Sequence, residues 1–290
     1  MIGLNNKKIG FIVDSSSNIK PDSIEDVKVV PLGVSVNDKG TIKTYKDGID
    51  FNSDDLKVIL SNNGGDIKTS QASMPDMMLA AEEMSDKYDE IFVLPIHKSL
   101  SGNYNTWNII KDDFPKLHVL MTYDIGQSFV WTINQIKEYL SHNECDETKI
   151  NELINNEILP NRVGWLLVAN LDQLVKGGRV NALKAAFAKL FKVKPIILFS
   201  KNGLDFMDKV RNFEQYFKVC DEHLNKNYPG KKIKRVILFI PEGIEGELSS
   251  FQLEFKNHYG PDLQCETAQF PTVVVCHTGL EHVAYYVELE

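Results

Sequence analysis

Cysteine is sparse in this sequence, and no two cysteines are spaced as a pair. The four, at positions 145, 220, 265 and 276, contain no C-x-x-C. A chain of 290 residues builds its core without disulfides, so reduced thiols in the cytoplasm are the expectation. Long apolar runs are missing too. Nothing approaches the roughly 18 residues of a membrane span, and the run before Asp14, "IGFIV", is too short for a signal-peptide core. Positive charge is in deficit: the net charge is −8. The one basic cluster, "KKIKR" at 231–235, reads as a solvated turn leading into a strand, so no nucleic-acid partner is expected. Histidine spacing offers no metal site. His277 and His282 have no ligand-spaced cysteine or acid, and the others (97, 118, 142, 223, 258) form no pattern. "KGGRV" (176–180) lacks both G-x-G-x-x-G and a phosphate-loop lysine, which leaves a tight turn. No internal repeat or low-complexity tract is present.

What is present is an alternation of apolar runs and helical periods. "IGFIV" (9–13), "VVPLGVSV" (29–36), "EIFVLPI" (90–96) and "LHVLM" (117–121) read as strands covered on both faces. Ser73 before Met74-Pro75-Asp76 predicts a helix start, the helix running to Tyr88. This β-α-β-α order points to a parallel sheet. The polar, helical stretch 141–161 marks a change of domain, because 290 residues is long for one core. Beyond it, 163–170, 194–200, 205–211, 234–240 and "TVVVCHTG" (272–279) read as strands, with helices over "NALKAAFAKLF" and "NFEQYFKVCDEHLNKNY" between them. "SKNGLD" reads as a hairpin turning on Asn202-Gly203. The fold class is therefore α/β: an N-terminal parallel-sheet domain, 1–158, and a C-terminal mixed α+β domain, 159–290.

Three hydroxyl-rich clusters adjoin strand or helix ends in the first half: "VDSSSN" (13–18), "KTSQAS" (68–73) and "SLSGN" (99–103). The carboxyl ends of parallel strands face the ligand crevice, and helix N-termini there offer free N–H groups to an anion. The plainer reading of any one cluster is a helix cap. Asp14 likewise reads as a cap at a strand end. Ser101 could instead be a nucleophile with His277 as its base. The elbow pattern G-x-S-x-G fails on both sides, however, at Ser99 and Asn103.

Taken in order, "IVDSSSNI", "VVPLGVSVND…YKDGID", "TSQAS", "SLSGNY", "LVKGGRV", "KPIILF", "DKVR" and "CHTG" resemble the DegV family across residues 9–279. The resemblance implies a two-domain protein with one long-chain fatty acid in a tunnel between the domains and no further cofactor. It assigns the carboxylate contacts to Thr69, Ser70, Ser101, the Gly102 amide, His277 and Thr278. It also implies a partner, a separate ATP-dependent fatty acid kinase of the type served by FakB carriers, with Arg211 at the contact. The chain itself would be non-catalytic. This sequence departs from the family around the head group, with Asn103, Cys276 and "HTGLEH" in place of the usual residues. Two other functions use the same residues. One is a serine hydrolase acting on acyl esters through Ser101 and His277, the other a lipid-sensing module without a kinase.

Overall fold

The computed structural model describes residues 6–61, 66–168, 193–240 and 247–290. "KGGRV" and "NALKAAFAKLF" lie outside the described residues. The chain packs as two compact units. One is Met1–Pro160 with Pro271–Cys276, and the other is Asn161–Phe270 with His277–Glu290.

The first unit runs β1 (Ile9–Asp14), β2 (Val27–Val30), β3 (Gly33–Asp38), β4 (Thr41–Lys46), α1 (Ser53–Ser61), β5 (Asp66–Ser70) and α2 (Met74–Lys87). It continues with β6 (Glu90–Leu94), α3 (Asn103–Ile110), β7 (Leu117–Val119), α4 (Ser128–His142) and α5 (Glu147–Glu152). Its main sheet has the order β2-β1-β6-β7, parallel throughout. Burial of every residue of β1 explains its uninterrupted apolar run. α2 starts where Ser73 Oγ accepts the Asp76 amide at 3.2 Å, with Pro75 in the first turn. Met77, Ala80, Ala81 and Met84 of that helix are buried with Ile12, Ile91 and Trp107 in one core. A second, three-stranded antiparallel sheet, β4-β3-β5, carries the "KTS" residues on its edge strand.

The second unit contains β8 (Arg162–Val168), β9 (Lys194–Ser200), β10 (Gly203–Val210), α6 (Phe213–Asn227), β11 (Ile233–Phe239), α7 (Glu247–Tyr259), β12 (Cys265–Ala268) and β13 (His282–Leu289). Its sheet order is β10-β9-β8-β13-β11-β12. Among the described residues only β11 and β12 pair in parallel in this sheet, so it is mixed as expected. Its aromatic core gathers Phe213, Tyr216, Phe217, Phe251, Phe255 and Tyr285. At the end of β13 the buried Glu288 carboxylate meets the Arg162 guanidinium at 3.0 Å and that of Arg235 at 2.8 Å.

Three local expectations are corrected. First, 29–36 is two strands in two sheets, not one. Pro31 has no N–H for a ladder, and the next amide, Leu32, donates to Ser15 Oγ instead. Second, the hairpin turns on Lys201 and Asn202, since Ser200 pairs with Gly203. Gly203 opens β10 at φ +96°, a conformation that favours glycine. Third, 272–278 is a helix, α8 (Thr272–Thr278), not a strand. The amides of Val274 and Val275 both donate to Pro271 O, at 2.9 and 3.1 Å. Val273 and Cys276, three apart, are buried in the first unit's core, which is the helical period. Packing overrides the β preference of three valines here.

Candidate functional site

The polar clusters of the first unit meet around Asp14, at the end of β1. Its side chain caps the short turn Ser15–Ser17, accepting the Ser16 amide at 3.1 Å and also the Ser16 hydroxyl. The Ile96 amide donates to its other oxygen at 2.7 Å, as does Asn103 Nδ2 at 2.8 Å. Asp14 is buried, and burial raises its pKa, while these donors pull it back down. The capping role expected for Asp14 is what the structure shows.

Asn103, the first residue of α3, is fully buried. Besides donating to Asp14, it accepts the Ala72 amide at 3.1 Å. One carboxamide therefore ties "TSQA" to "SGN" and both to the end of β1. Gln71 strengthens the link, its Oε1 accepting from the Thr106 hydroxyl at 3.1 Å. A Cβ at position 102 would collide with that Gln71 oxygen, and one at position 33 with Ser70 Oγ. Both glycines let neighbouring segments approach closely.

Ser101 is half-buried in the turn between β6 and α3. Its Oγ accepts the first amide of the helix, Asn103 N–H, at 3.2 Å. The hydroxyl hydrogen is left to donate elsewhere. Gly102 follows as the N-cap. Thr69 is half-buried and Ser70 exposed, side by side on β5. These four expected site residues belong to one unit, whereas His277 and Thr278 belong to the other. His277 is half-buried in the last turn of α8. Thr278 Oγ lies 3.3 Å from the His282 ring, and that ring stands edge-on to Phe270. Burial drives the His282 pKa down to about 3, so the ring is neutral. Arg211 is exposed between β10 and α6, its amide donating to Gln215 Oε1 at 2.9 Å.

One residue escapes sequence reasoning. Asp47, in "YKDGID", is buried and bonded by the side chains of Ser15 and Thr272. Burial pushes its pKa up to about 6, against those bonds and with help from the charge of Asp14. Asp47 and burial together also raise the Cys276 thiol pKa, burial being the larger cause. An aspartate beside Gly48 in a polar turn looks like surface, and no spacing links positions 15, 47 and 272.

The family described as "Uncharacterised protein, DegV family" matches residues 8–290. The chain belongs to the DegV family. Among DegV relatives, the DegV domain-containing protein MG326 of Mycoplasma genitalium is 30% identical over 95% of this chain and 96% of its own length. A fatty-acid-binding DegV family protein from Thermus thermophilus shares the fold at a TM-score of 0.79. It is 21% identical, and the match covers 97% of this chain and 99% of the other. The Fatty Acid Kinase B3 protein of Streptococcus pneumoniae, solved with linoleic acid, has a TM-score of 0.75. Its identity is 16%, over 98% of this chain and 100% of the other. Among the described residues no helix is long and apolar enough to cross a membrane.

Proposed function

We propose that this DegV protein is a non-catalytic carrier in the cytoplasm. It binds one long-chain fatty acid and presents the carboxylate to a separate ATP-dependent fatty acid kinase. The observation that carries this reading is the hydroxyl of Ser101. With its oxygen committed to the Asn103 amide, its hydrogen is the group it can offer a ligand. A carboxylate needs such donors when it leaves water, because a buried charge must be hydrogen-bonded or paired. Thr69, Ser70, the Gly102 amide, His277 and Thr278 complete the proposed donor set. The two fatty-acid-binding relatives with this fold support it.

The energetics suit holding the acid. Burying about 14 methylenes at ~0.8 kcal/mol each is worth on the order of 11 kcal/mol gross. Immobilising chain and protein removes several of those. The head-group contacts then set position and orientation and add to the affinity that remains. Arg211, exposed at a strand–helix junction, is the proposed kinase contact.

The test is native mass spectrometry of the purified protein, followed by a kinase assay. We expect about one fatty acid per chain, and acyl-phosphate, trapped with hydroxylamine, only when a fatty acid kinase and ATP are added. Absence of lipid together with no uptake of added fatty acid would overturn the reading. Turnover of activated acyl esters by the protein alone would replace it with the hydrolase.

A further inference from the structure

At the amino-terminal end of the parallel sheet, three potential metal ligands converge from stretches remote in sequence. Glu90 opens β6, His118 lies on the neighbouring β7, and Cys145 sits in the loop between α4 and α5. One ligand atom from each lies within 4.8 Å of the others, and all three residues are half-buried. The group is separate from the proposed carboxylate site. Ser101 follows the opposite end of β6, and the strand alone spans about 13 Å at ~3.3 Å per residue.

The surroundings are arranged as a metal site requires. His118 Nδ1 lies 3.0 Å from Glu147 Oε2, and its Nε2 lies 2.7 Å from Glu90 Oε2. A carboxylate on the far nitrogen orients a ligating imidazole and fixes its tautomer, leaving Nε2 to face the ion. Phe92 stacks on the ring at 5.2 Å and holds its plane. Lys7 bonds the other oxygen of Glu90, Oε1, so Oε2 can turn to an ion without breaking that pair. Cys145 is a free thiol.

We propose that Glu90 Oε2, His118 Nε2 and Cys145 Sγ bind one divalent transition-metal ion of the zinc type, with Glu147 as the orienting carboxylate. One thiolate, one imidazole and one carboxylate suit a borderline-soft ion rather than magnesium or calcium. The hydrogen bond between Glu90 and His118 opens as the ion takes its place, and the proton it held goes to solvent as the Nε2–metal bond forms. The Cys145 thiol gives its proton to solvent as the S–metal bond forms. Uptake should therefore release protons to solvent. Three protein ligands leave the fourth position to water. Closing the group needs a shift of about 1 Å, since metal–ligand bonds of 2.0–2.3 Å place ligand atoms nearer than 4.8 Å. The loop holding Cys145 can supply it. The ion would pin the α4–α5 loop to the edge of the sheet.

The full-length protein, freed of metal by chelation and dialysis, is titrated with Co2+ and with Zn2+. We expect one Co2+ per chain with a thiolate charge-transfer absorption, displaced by Zn2+, and a Zn2+-dependent rise in melting temperature. Cys145→Ser and His118→Ala should abolish both signals. Glu147→Gln should weaken binding about 10- to 100-fold, and Cys265→Ser should change nothing. Should a variant fold poorly, alkylation of the wild-type chain decides: Zn2+ should protect Cys145 and leave Cys265 reactive. The site is disproved by absence of stoichiometric binding, by an absorption that survives Cys145→Ser, or by alkylation of Cys145 unaffected by Zn2+. Fatty-acid retention, measured in parallel, should be equal in all these variants.

Discussion

Asn103 donates to Asp14 across 2.8 Å while accepting the Ala72 amide at 3.1 Å, so one buried carboxamide joins three segments of the first unit. Replacing it leaves a buried carboxylate short of a donor and a buried amide short of an acceptor. We expect Asn103→Ala to cost about 2–6 kcal/mol, summing two unsatisfied groups, measured by urea unfolding. A loss below 1 kcal/mol would show that water substitutes freely at both positions.

Asp47 gives the protein a pH signature. Its folded pKa, about 6, stands above the ordinary 3.8. A raised pKa means the folded state prefers the protonated acid. Its contribution is therefore complete below about pH 4 and is lost as pH rises through 6. At ~1.4 kcal/mol per pH unit this amounts to on the order of 3 kcal/mol. Asp14, raised for the same reason, acts in the same direction. Asp47→Asn should flatten the profile of stability against pH over that window, read from melts at several pH values. An unchanged profile would show that Asp47 ionises normally.

Glu288 neutralises Arg162, whose side chain is wholly buried. Glu288→Ala removes the carboxylate that faces this buried guanidinium and should cost about 3–5 kcal/mol. Glu288→Gln, which retains an acceptor, should cost less. Chemical denaturation of the two variants checks the order.

In the proposed site, Ser101→Ala removes one donor to the carboxylate. A charge-assisted bond of roughly 1.5–3 kcal/mol corresponds to about a 10- to 100-fold loss of fatty-acid affinity. His277→Ala should act similarly. Displacement of a fluorescent fatty acid measures both, and a double variant that binds like wild type would place the head group elsewhere.

Arg211→Ala should retain its lipid but slow acyl-phosphate formation when a cognate kinase and ATP are supplied. An arginine desolvated at an interface can contribute 2 kcal/mol or more. Hydroxylamine trapping compares the variants, and a wild-type rate would remove Arg211 from the contact.

Local sequence determined the elements whose signals are continuous. β1 and β6 are legible because every face of a covered parallel strand is apolar. α2 is legible because Ser73, Pro75 and Asp76 mark its first turn. The tags identified the family through their order along residues 9–279, each short stretch being weak alone. Tertiary structure decided what depends on partners far along the chain. It made a helix of the valine run at 272–278, since burying Val273 and Cys276 outweighed β-branching. It made a fully buried strand of 282–289, to which the sequence reading assigns no element, by setting it between β8 and β11. It gave Asn103 and Asp47 their bonds, and it gathered Glu90, His118 and Cys145. A hydrogen bond or ligand set forms through space, and linear spacing records it only when the partners lie on one element.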